Sequence, residues 1–137
     1  MGKIITTLVL ITAIIFTFSA DTYTYGETMH KKTIAIDLDG VLNNYTKYTD
    51  DIPEIKDGAK DFIINLAKSN ELILYTNRSP KLATKWLIKY NLDKYFTEVT
   101  NVKPVAYMYI DDRAIQFNGD YNKTLEEIQN FKVYWNE

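Results

Sequence analysis

The chain has no cysteine at all. Disulfides, thiolate catalysis and a zinc-thiolate site are therefore excluded, while the redox compartment stays open because a cysteine-free chain suits cytosol and exterior equally. It has one histidine, His30, too few for a His-rich metal centre and poorly suited to a Ser-His-Asp triad. It also lacks a strong charge of either sign: the net charge is −2, with acidic and basic residues scattered along the sequence. No basic footprint for duplex nucleic acid is expected. The tyrosines are numerous, but without a basic groove they do not make a base-stacking surface. What remains for chemistry is carboxylates, lysine, threonine and a hard metal ion.

A long hydrophobic run is nearly absent too, with one exception at the start. After Met1-Gly2-Lys3 comes an apolar stretch from Ile4 to Phe18, then Ser19-Ala20 and a polar segment to Lys32. A positive start, an apolar centre and small residues resemble a secretory signal, although Phe18 suits cleavage after Ala20 badly. Residues 4–20 are short for a span, which takes about 20 apolar residues, yet an uncleaved membrane anchor stays open. The competing reading takes Met29 as the true start. The two readings differ in location: exported or membrane-attached if residues 1–20 are translated, cytoplasmic if they are not. Both set residues 1–28 apart from a single domain over residues 29–137. With 137 residues, 46% of them apolar and 14% aromatic, the chain has material for one core and not for two.

From Thr33 onward, short apolar runs alternate with helical patterns, the signature of a parallel sheet wrapped by helices. Strands are expected at Thr33–Asp37, Glu71–Thr76, Phe96–Thr100 and Tyr107–Ile110, with a last one at Phe131–Trp135. Ala59, Phe62, Ile63, Leu66 and Ala67 predict a helix over residues 58–69. Ser79-Pro80, a capping residue followed by proline, predicts another over residues 79–90, with Trp86 and Tyr90 as core. Thr124 and Glu127 suggest a capping box opening a final helix into Asn130. No repeat or low-complexity tract is present. The expected fold is α/β, a Rossmann-like three-layer α/β/α sandwich with a mainly parallel sheet.

In such sheets ligands gather beyond the carboxyl ends of the strands. The residues there are Asp37 and Asp39, Thr76 and Asn77, and Asp111 and Asp112, with Lys103 ahead of the fourth strand. Carboxylates from separate strands can hold Mg²⁺, a cation that prefers oxygen ligands and keeps several waters. A phosphate dianion repels a carboxylate nucleophile, so a metal and a lysine are needed to neutralise charge. Taken singly, Asp39-Gly40 could be only a turn, Thr76 could satisfy a strand-end amide, Lys103 could be a solvated lysine and Arg113 could pair on the surface.

Taken together, these runs resemble the four motifs of the haloacid dehalogenase (HAD) superfamily. Asp37-Leu38-Asp39-Gly40-Val41-Leu42 is similar to the first, Leu74-Tyr75-Thr76-Asn77-Arg78 to the second, Lys103-Pro104 to the third and Tyr109-Ile110-Asp111-Asp112-Arg113 to the fourth. The resemblance implies a Mg²⁺-dependent phosphatase in which Asp37 is the nucleophile and Asp39 the general acid and base. It implies that Thr76, Asn77 and Lys103 hold the phosphoryl group. It also implies that Asp37, the Asp39 carbonyl and Asp111 hold Mg²⁺, with Asp112 direct or through water. The alternative is a phosphate-sensing or regulatory module on the same fold. Only Asn43 to Lys56 separates the first strand from the first helix, enough for a flap and not for a cap domain. A capless site implies either that a partner or an oligomer covers it, or that a larger phosphate ester (a nucleotide, a sugar phosphate or a polymer end) acts as its own lid.

Overall fold

The computed structural model describes residues 30–135. The segment 1–28, with its signal, anchor or alternative-start readings, lies outside them. Among the described residues no helix is long and apolar enough to cross a membrane.

The sheet is built outward from the first apolar run. β1 (Lys32–Ile36) is flanked by β2 (Asn70–Tyr75) on one side and β4 (Met108–Ile110) on the other, and β3 (Phe96–Thr100) pairs with β2, giving the order β3-β2-β1-β4. All three pairings are parallel. Parallel neighbours need crossover connections; α1 (Ala59–Leu66) supplies that from β1 to β2 and α2 (Pro80–Lys89) that from β2 to β3, while β3 reaches β4 without a helix. Residue Thr97 is an extra residue where the β2–β3 register shifts, and its hydroxyl donates to the Leu72 carbonyl at 3.1 Å.

Side chains alternate across a strand, so the two faces of the sheet can be read separately. Ile34, Ile36, Leu72 and Leu74 share one face and join Ala59 and Ile63 of α1 with Ala83, Trp86 and Leu87 of α2 in a single buried cluster. Ala35 and Ile73, on the opposite face, are buried as well but stand outside that cluster. α3 (Tyr121–Asn130) has no buried residue and leaves Leu125 and Ile128 exposed. The sandwich is therefore strongly packed on one side and thinly on the other.

Helix ends follow local chemistry. α2 starts at Ser79 with Pro80 in the first helical position. It stops where Asn91 takes a left-handed conformation (φ 58°), with Asn91 N–H donating to Ile88 and Leu92 N–H to Leu87. That pair of bonds closes the helix, and Leu92 is buried in the same cluster as Leu87. The last helix departs from expectation. Asp120, not Thr124, is its cap, accepting from the backbone N–H groups of Asn122 and Lys123 at 2.9 and 3.1 Å. Thr124 lies inside the first turn and donates to the Asp120 carbonyl instead. Residues Phe131–Trp135 do not form the expected strand. Tyr134 and Trp135 find polar partners just beyond the carboxyl ends of β1 and β4, and the chain turns there rather than running along a sheet edge.

The unequal faces have a measurable consequence. Ile63→Ala, in the cluster, should cost about 2–4 kcal/mol, whereas Ile128→Ala on α3 should change stability by less than about 0.5 kcal/mol. Urea denaturation of the two variants checks this, and equal losses would mean that α3 is packed more tightly than its exposure indicates.

Candidate active site

β1 is the strand at which the chain's progression across the sheet reverses, from β2 and β3 on one side to β4 on the other. A crevice opens beyond the carboxyl ends of the strands at such a point. Asp37 follows β1 directly, and its N–H donates to the Ile110 carbonyl at 2.9 Å, holding the ends of β1 and β4 together. Thr76 follows β2 and is buried; its N–H donates to Thr100 and its hydroxyl accepts from the Arg78 N–H. Asp111 and Asp112 follow β4. A cavity of about 310 Å³ lies over these ends, and Asp37, Asp39, Thr76, Asn77 and Asp111 contribute to its wall.

The arrangement concentrates negative charge. One carboxylate oxygen each from Asp37, Asp111 and Asp112 lie within 4.8 Å of one another. Burial, with a further push from the Asp111, Asp112 and Asp39 carboxylates, raises the Asp37 pKa from 3.8 to about 7, against the lowering effect of a hydrogen bond from the Leu38 backbone. The Asp112 side chain is 1% exposed, and its Oδ1 has no hydrogen-bond partner. An orphaned buried carboxylate oxygen beside two further carboxylates fits a divalent cation, which would supply the missing positive charge and accept the free lone pairs. Asp37, Asp111 and Asp112 are the side chains placed to hold it.

Asp39 is placed differently. Its carboxylate accepts from Arg78 Nε at 2.7 Å through Oδ2 and from Asn43 Nδ2 at 2.8 Å through Oδ1. The side chain therefore stands apart from the three-carboxylate group, and any part it has in holding a cation falls to its backbone carbonyl. Lys103 is not among the residues lining the 310 Å³ cavity. It lines a neighbouring cleft with Tyr75, Tyr109 and Asp111, its ammonium 4.8 Å from the centre of the Tyr109 ring. The cations that do reach the cavity are Arg78 and Arg113. Arg113 is an exposed residue that pairs with Asp112, Nε 3.8 Å from Oδ1, and its guanidinium sits 4.9 Å from the Tyr45 ring and 5.2 Å from the Trp135 ring.

Motif reading includes Arg78 without a role for it and passes over Asn43. Arg78 directly follows Thr76-Asn77 but is 4% exposed and has its guanidinium under the Tyr48 ring. Asn43, also buried, bridges the turn by accepting from Gly40 N–H at 3.1 Å while donating to Asp39. The flap of residues 43–56 is no free loop: Asn43 pairs with Ile55, and Trp86 donates to the Pro53 carbonyl at 2.7 Å. Trp86 is therefore core, as its spacing suggested, and also the tie that holds the flap bearing Tyr45 and Tyr48 over the cavity.

No family model matches the chain, and no curated protein does. Among solved structures, a conserved protein from Bacteroides thetaiotaomicron superposes with a TM-score of 0.52 at 24% identity, over 76% of this chain and 94% of that one. The likeness shows the α/β fold. It extends over most of the described domain and leaves the chemistry to be argued from the side chains.

The charge cluster predicts an inverted pH dependence for the metal-free protein. Between about pH 4 and 7 the folded state holds a proton on Asp37 that the unfolded chain has released, so this group's contribution to stability falls as pH rises through that window and levels off above it. Asp37→Asn should therefore stabilise the metal-free protein at pH 8 by about 1–3 kcal/mol, with the gain shrinking toward pH 4. Thermal melts of both proteins across pH, in chelator, decide it; a variant less stable than the parent at pH 8 would refute it.

Proposed function

We propose that the protein is a Mg²⁺-dependent phosphomonoesterase of the HAD type, acting through an aspartyl-phosphate on Asp37. The observation that carries this reading is the meeting of Asp37 with Asp111 and Asp112 within ligand range, at the edge of a cavity that Asp37, Asp39 and Asp111 line. The resemblance of the four sequence runs to the HAD motifs agrees with it.

In this reading an Asp37 carboxylate oxygen attacks phosphorus, and the ester oxygen leaves with a proton from Asp39. Asp39 then takes a proton from water, whose oxygen attacks phosphorus, releasing inorganic phosphate and restoring the Asp37 carboxylate. A bound Mg²⁺ would offset the negative charge of the nucleophile and the phosphoryl oxygens. Thr76 and the Asn77 amide would hold phosphoryl oxygens, and Arg78 and Arg113, which line the cavity where Lys103 does not, would take over much of the neutralising role first expected of Lys103. Both Asp39 oxygens are occupied by Arg78 and Asn43. Proton transfer requires the Arg78 contact to open, and an incoming phosphate dianion competes for that guanidinium. The capless edge suits an accessible ester: a nucleotide, a sugar phosphate or a polymer end.

Rapid-quench kinetics with an activated aryl phosphate tests the division of labour. Asp39→Asn should still undergo the first step, because a good leaving group needs little protonation, and then stall. A burst near one equivalent with a phosphoryl adduct by intact mass is expected, followed by weak turnover, and Asp37→Asn should show neither. A parent protein that binds phosphate but hydrolyses no ester with Mg²⁺ would favour the sensing module instead. Turnover by Asp37→Asn close to the parent's would sink the nucleophile assignment.

A further inference from the structure

The segment after α3 carries two aromatic residues to the acidic edge, and their contacts are specific. The Trp135 indole N–H donates to Asp112 Oδ2, and the Tyr134 hydroxyl donates to the Gly40 carbonyl. The space between these partners exists only because residue 40 is glycine. Its φ is 88°, and a Cβ there would collide with both the Asp112 carboxylate and the Trp135 indole nitrogen. Trp135 is held on its other sides too. Its ring meets Tyr45 edge-on at 5.2 Å and 80°, and the two rings flank the Arg113 guanidinium. Tyr134 in turn carries the Lys56 ammonium 4.2 Å from its ring centre.

The consequence falls on Asp112. Its carboxylate is enclosed, so no water competes with the indole for Oδ2, and that bond sets the rotation of the whole group. Oδ1 is left without a hydrogen bond, with Arg113 Nε 3.8 Å away, and is the oxygen available to a cation shared with Asp37 and Asp111. We propose that Trp135 is a positioning residue whose indole N–H fixes the Asp112 carboxylate for a divalent cation, so that the segment after α3 completes the cation site. The inference rests on the cation reading above and goes beyond it by assigning a role to a residue outside all four motif-like runs. Donors behind metal-bound carboxylates and imidazoles orient the ligand, and their loss commonly weakens metal affinity by about 10–100-fold.

The test uses the full chain and Mn²⁺ alone, with free Mn²⁺ counted by electron paramagnetic resonance. Trp135→Phe keeps an aromatic ring against Tyr45 and Arg113 but has no N–H. It should melt within a few degrees of the parent in chelator and yet bind Mn²⁺ about tenfold more weakly, with Asp112→Asn weakened at least as much. A purely structural tryptophan would give the opposite pattern, with a lowered melting temperature and unchanged affinity, and that result overturns the inference. A second reading needs no variant. The chain has two tryptophans, hence two indole N–H signals by NMR, and Mg²⁺ should shift that of Trp135 while leaving that of the core residue Trp86 in place. If Mn²⁺ binds the parent but neither indole signal responds to Mg²⁺, the positioning role fails while the cation site stands. If the parent binds no Mn²⁺, both fall.

Discussion

Like charge crowded at the end of a parallel sheet is the constraint around which this protein is arranged. Asp37, Asp111 and Asp112 come within 4.8 Å of one another because β1 and β4 are adjacent and in register, Ile36 opposite Ile110, so that the residues following each strand are forced together. Burial, with their repulsion as a smaller contribution, lifts the Asp37 pKa to about 7. Such an arrangement is costly unless something positive resolves it. The surroundings are built accordingly. Arg78 is paired with Asp39, and Arg113 lies 3.8 Å from the buried Asp112 Oδ1, an oxygen that has no hydrogen bond.

The strong face of the sandwich makes that strain tolerable. Ile34, Ile36, Leu72 and Leu74 are locked to α1 and α2 on one side of the sheet, and this rigid layer fixes the strand ends against electrostatic repulsion. The same layer supplies Trp86, which ties down the flap carrying Tyr45 and Tyr48. The thinly covered face and α3 contribute less to the core, and the segment following α3 turns back to the acidic edge, where Trp135 and Tyr134 make contacts that a further strand could not.

Much of this was legible in the chain itself. The alternation of β-branched runs with helical periodicity dictates a parallel sheet, because parallel strands need crossovers and their buried cores need continuous apolar residues. The carboxylates could be located for the same reason, since each follows an apolar run and so must lie at one edge. What could not be read were interactions between residues far apart in sequence. Nothing in the run Thr76-Asn77-Arg78 says that the arginine turns inward to a carboxylate 39 residues earlier. Lys103 precedes the right strand, but the path of the chain into β4 sets it in a neighbouring cleft. Phe131–Trp135 has the composition of a strand, and only the presence of Asp112 and Gly40 nearby decides otherwise.

The sequence by itself determined the α/β class, four of the five strands read from it, and which acidic residues stand at the carboxyl edge of the sheet, because periodicity and the succession of elements along the chain are local properties. Tertiary structure alone decided how those acids are partnered: Asp39 with Arg78, Asp112 with Trp135, and Asp37 with the carboxylates of Asp111 and Asp112. The physical reason is that hydrogen-bond geometry and burial depend on the meeting of segments 20 to 40 residues or more apart, and no short window of sequence contains both halves of such a contact.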